Sequence, residues 1–157
     1  MKPHAFILAL IFAASAFAMD TPKPEPKEPK DPGLEQARAA IGRQDWMGAQ
    51  TILRAAVARN PQDADYHNLY AYSMRKGPNP AMDLVFRHYN EALRLDPKHR
   101  GAQEYLGEAY LMAGNLPKAK EQLQTLDKLC FFSCPEYTML KKAIADYESK
   151  PAKADAK

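Results

Sequence analysis

The sequence predicts an all-α protein made of stacked helical hairpins, and three observations support this prediction. Apolar residues recur at three- or four-residue spacing through most of the chain. No segment shows the period-two alternation with turn signals that marks β-strands. Two helix ends are alike, because an apolar segment runs into Asn60-Pro61 in one and Asp96-Pro97 in the other, with the prolines 36 residues apart. Self-similarity at this spacing is typical of stacked helical hairpins.

The composition is that of one soluble domain with tails. The chain has 157 residues, of which 46% are hydrophobic and 26% are charged. A formal net charge of +3 is too small and too dispersed to indicate a nucleic-acid partner. Two cysteines exclude both a disulfide-rich miniprotein and a four-cysteine zinc site.

Residues 1–18 have the features of a secretory signal peptide. Lys2 supplies a positive start, residues 5–14 form an apolar run, and residues 16–18 (Ala-Phe-Ala) match the small-x-small cleavage pattern. We expect cleavage after this motif, which predicts a periplasmic or secreted protein without a membrane span. The alternative is a retained anchor, because the uncharged segment 3–19 has 17 residues, the short limit for crossing a bilayer.

Proline and charged residues dominate the next segment, residues 19–32. Five of the 13 residues at 20–32 are proline, which favours an extended, semi-rigid linker over a helix or a strand. A motif for a proline-binding groove is the alternative interpretation. At the other end, residues 150–157 have nothing apolar to bury, and we expect a disordered tail there.

The last of three units of about 34 residues carries the clearest motif. Leu106-Gly107 is followed three residues later by Tyr110, and Gly114-Asn115 forms the turn to a second helix. These residues match the tetratricopeptide repeat, and the chain resembles this family over about 100 residues. The fold that the resemblance implies is a right-handed superhelix of helical hairpins.

The two earlier units match the repeat less completely. The middle unit departs from the pattern at Tyr70 and Ser73 and carries an insertion at 78–80. We expect Asn79 to cap the next helix, with Pro80 at its first position. The first unit matches mainly in its second helix. The matching residues of the middle unit are Tyr66, Leu69, Gly77, Tyr89 and Ala92. Those of the first unit are Asp45, Trp46, Ala49, Leu53 and Ala56.

The resemblance implies a domain of three hairpins, the first of them degenerate, over residues 33–129. We expect a capping helix within residues 130–149, because apolar residues from Tyr137 to Tyr147 recur at helical spacing. Such a cap is needed because each hairpin of a repeat protein buries its apolar face only against a neighbour.

In this family the first helices of the repeats line a concave groove that binds partners. The resemblance places the following residues in that groove: Arg38, Ile41, His67, Asn68, Ala71, Met74, Arg75, Glu104, Glu108, Leu111 and Met112. We therefore expect an adaptor or assembly factor that binds a protein or peptide partner. Glu104 and Glu108 stand where a clamp for acidic C-terminal peptides needs positive or amide groups, so that role is not expected. The alternatives are a solvated face without a ligand and self-association through a hairpin edge.

No catalytic motif stands out in the sequence. It contains no G-x-S-x-G, no H-E-x-x-H and no phosphate-binding glycine loop. Glu104 and Glu108 lie four residues apart on one helix face, but a like-charge pair on a solvated face is rarely acid–base machinery. We expect neither an enzyme nor a bound cofactor.

Cys130 and Cys134 bracket Phe131-Phe132-Ser133 just before the predicted capping helix. In an exported chain with two cysteines, the leading interpretation is a disulfide that holds this helix. The alternative is a thiol-redox or metal-handling pair, because a helix N-terminus lowers the pKa of a thiol there. The C-x3-C spacing and the scattered histidines favour the structural interpretation.

Overall fold

Seven helices follow one another in the computed structural model, which describes residues 31–150. No strand occurs within that range, so the predicted all-α fold class is confirmed. The predicted signal peptide, the linker up to residue 30 and residues 151–157 of the predicted tail lie outside the described residues. The helices are α1 (Pro32–Gly42), α2 (Trp46–Arg59), α3 (Ala64–Lys76), α4 (Met82–Leu95), α5 (Arg100–Met112), α6 (Leu116–Leu129) and α7 (Pro135–Glu148).

Most of these helices begin at a residue whose side chain satisfies a free backbone N–H of the first turn. Asp31, Asp45, Asp63 and Asn115 accept such hydrogen bonds at the starts of α1, α2, α3 and α6. His99 does the same for α5, where its Nδ1 accepts from the backbone N–H of Ala102. The helix starts are therefore set locally by the sequence.

The predicted linker ends two residues too late. Pro32 is the first residue of α1 and Asp31 is its N-cap, because proline needs no backbone donor at a first helical position. The Asp31 carboxylate also accepts a hydrogen bond from the hydroxyl of Tyr66 on α3. The first turn of α1 is thereby joined to the second hairpin.

The expected capping role of Asn79 is wrong. Asn79 has φ of 52°, in the left-handed region that asparagine tolerates better than most residues. Helix α4 begins only at Met82, with Ala81 as an N-cap that makes no side-chain hydrogen bond. The inserted residues thus turn the chain between α3 and α4 without capping the second of them.

The helices pack as three hairpins followed by a single helix. Within the hairpins α1 pairs with α2, α3 with α4 and α5 with α6, while α3 contacts both helices of the first hairpin and α5 both helices of the second. Helix α7 contacts α5 and α6 in the same way. It therefore takes the place that the first helix of a fourth hairpin would occupy.

Three apolar clusters form the core along the stack. The first joins α1, α2 and α3, the second joins α3, α4 and α5, and the third joins α5, α6 and α7. Small residues let the helices approach closely within these clusters. Those that are fully or almost fully buried are Ala37, Ala40, Ala49, Ala56, Ala71, Ala109 and Ala119.

Helix α7 approaches α5 closely at Gly107. A Cβ atom added to Gly107 would lie 2.5 Å from Cδ2 and 2.7 Å from Cδ1 of Leu140. Leu140 is completely buried, so its side chain has no free space to move into. The absence of a side chain at Gly107 therefore allows α7 to dock at this depth.

We expect Gly107→Ala to lower the free energy of unfolding by up to about 2 kcal/mol. Overpacking a dense core costs about 1–3 kcal/mol, whereas alanine gains up to about 1 kcal/mol over glycine within a helix. Urea unfolding followed by circular dichroism measures the difference.

Gly42→Ala is the matched control for this substitution. Gly42 ends α1, and a Cβ atom there meets nothing within 4 Å. The free energy of unfolding of the Gly42→Ala variant should stay the same or rise slightly. Equal effects of the two substitutions would contradict the close packing of α5 and α7.

Candidate binding groove

The first helices of the stack form one face, and a cavity of about 490 Å³ opens on it between α3, α5 and α7. We call this cavity the groove. The residues that line it are Arg75, Glu108, Leu111, Met112, Ala143, Asp146, Tyr147 and Lys150. Arg75, Glu108, Leu111 and Met112 were placed in a groove by the family resemblance, and the structure brings these four together.

The wall contributed by α7 is missed by the sequence analysis. Ala143, Asp146 and Tyr147 follow the same three- and four-residue spacing that predicts the capping helix. That spacing indicated a helix that covers the core. Because α7 occupies the position of a further first helix, it also lines the groove.

Several predicted groove residues lie below the surface. Ala71 and Met74 belong to the apolar cluster between the second and third hairpins, and Met74 is only 8% exposed. Their side chains pack the core. Ile41 is half-buried and packs against the first apolar cluster. Asn68 is also buried, and its Nδ2 lies 3.4 Å from the position that a Cβ on Gly101 would take.

His67 is buried in a pair with His88 on α4. The two Nδ1 atoms are 2.8 Å apart, and Nε2 of His67 lies 3.1 Å from the carbonyl oxygen of Pro61. A neutral His67 therefore donates from Nε2 and accepts at Nδ1 from His88. Burial first, and then the nearby His67, lower the pKa of His88. This pair joins α3 to α4 and does not line the groove.

The guanidinium of Arg75 organises the floor of the groove. Its Nη2 donates to Oε2 of Glu108 at 2.6 Å, and its Nε donates to the hydroxyl of Tyr89 at 3.3 Å. The group also lies over the rings of Tyr72 and Tyr105, at 5.5 and 5.7 Å from their centroids. Burial lowers the pKa of Arg75, but Tyr89 and Glu108 outweigh burial and the net shift is upward. Arg75 therefore stays charged although its side chain is only 4% exposed.

Glu104 is a buried carboxyl one helical turn from Glu108. Its side chain is almost completely removed from solvent, at 2% exposure. Burial, followed by the neighbouring charges of Glu108 and Glu136, raises the pKa of Glu104 to about 8, and Arg75 opposes this shift. At neutral pH the carboxyl is therefore mostly protonated.

A second cavity of about 570 Å³ lies at the N-terminal ends of α3, α5 and α7. Nε2 of His99 is 3.1 Å from the Asp65 carboxylate at its wall, and the hydrogen bond from His99 lowers the pKa of Asp65. Arg38 is an exposed residue that reaches Asp65 at 3.4 Å. Arg38 thus belongs to this N-terminal edge and does not line the groove.

The two cysteines lie at disulfide-bonding distance, with their Cα atoms 5.7 Å apart. Cys134 is the N-cap of α7 and is 5% exposed. The enclosed Phe131 and Phe132 are the most exposed large apolar side chains of the described residues, at 95% and 83%. Their rings contact each other edge to face, with centroids 5.4 Å apart. The loop therefore projects away from the core.

Within residues 31–150 no group of three or more His, Cys, Asp or Glu side chains is arranged to hold a metal ion. No helix in that range is long and apolar enough to cross a membrane.

Family models place this arrangement among known proteins. Models of the tetratricopeptide repeat match residues 34–81 and 85–144, which together make up most of the chain. The second match extends into α7, in keeping with its position as a further first helix. The chain belongs to the tetratricopeptide-repeat family, and the resemblance inferred from the sequence is confirmed. A search of curated proteins finds no match.

Solved structures share the fold at low sequence identity. The type III secretion translocator chaperone SycD of Yersinia enterocolitica is 16% identical, with a TM-score of 0.64 over 74% of this chain and 81% of that chain. SycD has also been solved with a peptide of the translocator YopD. The TPR2B domain of yeast Sti1, solved in a complex with pHsp70, is 15% identical, with a TM-score of 0.66 over 74% and 93%. The TPR domain of Arabidopsis OM64 is 16% identical, with a TM-score of 0.64 over 73% and 93%.

We expect Glu104→Gln to stabilise the protein increasingly as the pH rises from 5 to 8. The folded state keeps this proton up to about pH 8, whereas the ordinary pKa of the carboxyl is 4.5. As the pH rises, the unfolded chain loses this proton at a lower pH than the folded protein does. The stability contributed by Glu104 therefore falls between pH 4.5 and about pH 8. The advantage of the variant should grow by at least about 1.4 kcal/mol, the equivalent of one pKa unit.

Urea unfolding at pH 5, 6.5 and 8 measures this difference. Glu121→Gln is the control, because Glu121 is an exposed glutamate on α6 outside the groove. Its difference from wild type should not change with pH. A pH-independent difference for Glu104→Gln as well would show that the buried carboxyl is ionised at neutral pH.

Proposed function

We propose that this protein is an interaction adaptor that binds an extended peptide or a protein segment in the groove. The observation that carries the proposal is the combination of an exposed apolar side chain with a fixed polar centre. Met112 is 54% exposed beside Tyr147, and the Arg75–Glu108 ion pair lies next to them. Apolar anchors give affinity, and an ion pair fixes the orientation of the partner. Because this ion pair is already formed in the free protein, binding loses little side-chain entropy.

Flexible Met112 suits such a surface because a thioether side chain adapts to different partners. Two structural neighbours, SycD and the TPR2B domain, were solved with a peptide and with pHsp70 respectively. These complexes support the proposal by analogy of fold. The adaptor works by presenting a rigid surface, and we propose no catalytic step for it.

Met112→Glu should abolish peptide binding while leaving the fold intact. It places a charge beside Glu108 and Asp146 on the groove wall, where an apolar anchor is expected. The measurement is selection of random 12-residue phage-displayed peptides on wild-type protein, followed by fluorescence anisotropy with the selected peptides. We expect at least a tenfold loss of affinity.

Met47→Glu is the matched control, because Met47 is 62% exposed on α2 and does not line the groove. Substitution of Met74 or Leu111 is unsuitable, since these residues are 8% and 9% exposed and pack the core. If no peptide is selected, or if both methionine variants bind equally, the groove is not the working surface.

We further propose that the protein is exported and that Cys130 and Cys134 form a disulfide there. The signal-like residues 1–18 and the sulfur atoms at bonding distance support this proposal. The full-length chain recovered from a bacterial periplasm should have the mass of a protein that starts at Met19, less two hydrogen atoms. Recovery of the uncleaved or reduced mass would contradict export or oxidation respectively.

A disulfide and a thiol-redox function differ in what the loss of both cysteines does. A five-residue disulfide loop contributes about 2 kcal/mol in the chain-entropy model. Cys130→Ser combined with Cys134→Ser should therefore lower stability by about that amount and leave peptide affinity unchanged. Loss of function without loss of stability would favour the thiol alternative. Self-association stays a prediction from the sequence.

A further inference from the structure

The connection between α6 and α7, residues 130–134, concentrates apolar side chains on the surface. We call it the aromatic loop. Its Phe131 and Phe132 are almost fully exposed, and Met139 in the second turn of α7 is 47% exposed. These three are half of the exposed large apolar side chains within residues 31–150, and the others lie singly on α2, α4 and α5. A local concentration of this kind is typical of an interaction surface.

The equivalent turns of the array carry no such side chains. The aromatic loop follows the second helix of a hairpin, as do the turns after α2 and α4. Those two turns contain Asn60-Pro61-Gln62 and Asp96-Pro97-Lys98, all of them exposed. A connection between hairpins therefore forms without phenylalanine. Since the two rings are also exposed, packing of the array does not explain them.

The charges around the aromatic loop leave a small positive excess. The charged groups nearest to it along the chain are Asp127 and Lys128 on α6 and Glu136, Lys141 and Lys142 on α7. Glu136 faces Arg100 at 3.8 Å, and Lys142 is paired with Asp146 at 2.6 Å. Lys128 and Lys141 then stand against Asp127 alone. The excess favours an anionic partner.

The shape of the aromatic loop determines which anionic partner it fits. Two rings that project from a surface need a partner that surrounds both of them. The acyl chains at a membrane interface do so without a preformed pocket, and aromatic and lysine side chains suit that depth. Phe132 also shares a cavity of about 360 Å³ with Ser133, Thr138 and Lys141. An ammonium and two hydroxyls, groups that bind phosphate, thus lie beside the ring.

We propose that the aromatic loop attaches the protein reversibly to a bilayer that contains anionic phospholipids. The rings of Phe131 and Phe132 enter the boundary of the acyl chains, while Lys128 and Lys141 contact the phosphates. Binding is weak and salt-sensitive, because only two rings and a small charge excess contribute to it. The loop shares no lining residue with the groove, so this proposal does not rest on the proposed function.

Attachment through the aromatic loop leaves the groove accessible. Tyr147 on the groove wall follows Pro135, the first residue of α7, by 12 residues. This separation corresponds to about 18 Å along the helix. The protein would therefore present its groove to a partner close to the membrane.

Co-sedimentation of the full-length chain recovered from the periplasm with lipid vesicles tests the proposal. Vesicles of equal parts phosphatidylglycerol and phosphatidylcholine should bind the protein at least about threefold more strongly than phosphatidylcholine alone. Phe131→Ser combined with Phe132→Ser should lower binding about tenfold. The matched control is Met47→Ser combined with Leu84→Ser, which removes two exposed apolar side chains elsewhere and should bind as wild type does.

A tryptophan probe measures insertion directly. The chain has one tryptophan, Trp46 on α2, so Trp46→Phe combined with Phe132→Trp places the only indole in the aromatic loop. Anionic vesicles should shift its emission to shorter wavelength, and brominated acyl chains should quench it. The emission of Trp46 in the wild-type protein should show neither effect.

Three results would overturn the proposal, provided that circular dichroism shows each variant to be folded. One is equal vesicle binding with and without the two phenylalanines. Another is unchanged emission of the Phe132→Trp probe on addition of anionic vesicles. The third is a lipid-free dimer that becomes a monomer when both phenylalanines are replaced, because the loop would then be a contact between two copies of the chain.

Discussion

The contact between Gly107 and Leu140 is the constraint on which the rest of the structure depends. Because nothing projects from Gly107, α7 docks against α5 at a depth that places it in line with the other first helices. That position closes the third apolar cluster with Leu140 and Ile144. It also supplies the far wall of the groove. One missing side chain thus links the stability of the last hairpin to the shape of the binding surface.

Electrostatics on the first-helix face depend on the fixed position of Arg75. Arg75 is held by a carboxylate, a tyrosine hydroxyl and two aromatic rings, which fixes its direction. The groove is therefore rigid in its charge pattern as well as in its backbone. A surface of this kind selects partners by the sign and place of their charges, because mismatched groups are left desolvated and unpaired.

The sequence allows prediction of the elements but only part of the groove. Repeated Asn-Pro and Asp-Pro ends, and capping residues such as Asp45, act locally, so the helices follow from short stretches of sequence. Asn79 is ambiguous because asparagine serves both as a cap and as a left-handed turn residue. His67 pairs with His88 across 21 residues, a contact that no local pattern encodes. The raised pKa of Glu104 likewise owes part of its cause to Glu136 on α7, which lies 32 residues further along the chain.

The two ends of the described stack are unequal. In a linear array each hairpin contacts only its neighbours, so opening of the native state starts at the ends and spreads inward. The α1 end is held by packing and by the hydrogen bond of Tyr66 to Asp31. At the other end the disulfide that we propose between Cys130 and Cys134 would close a five-residue loop and tie α7 directly to α6. With that bond formed, fluctuations enter from α1, and the part of the array that carries the groove is the last to lose its order.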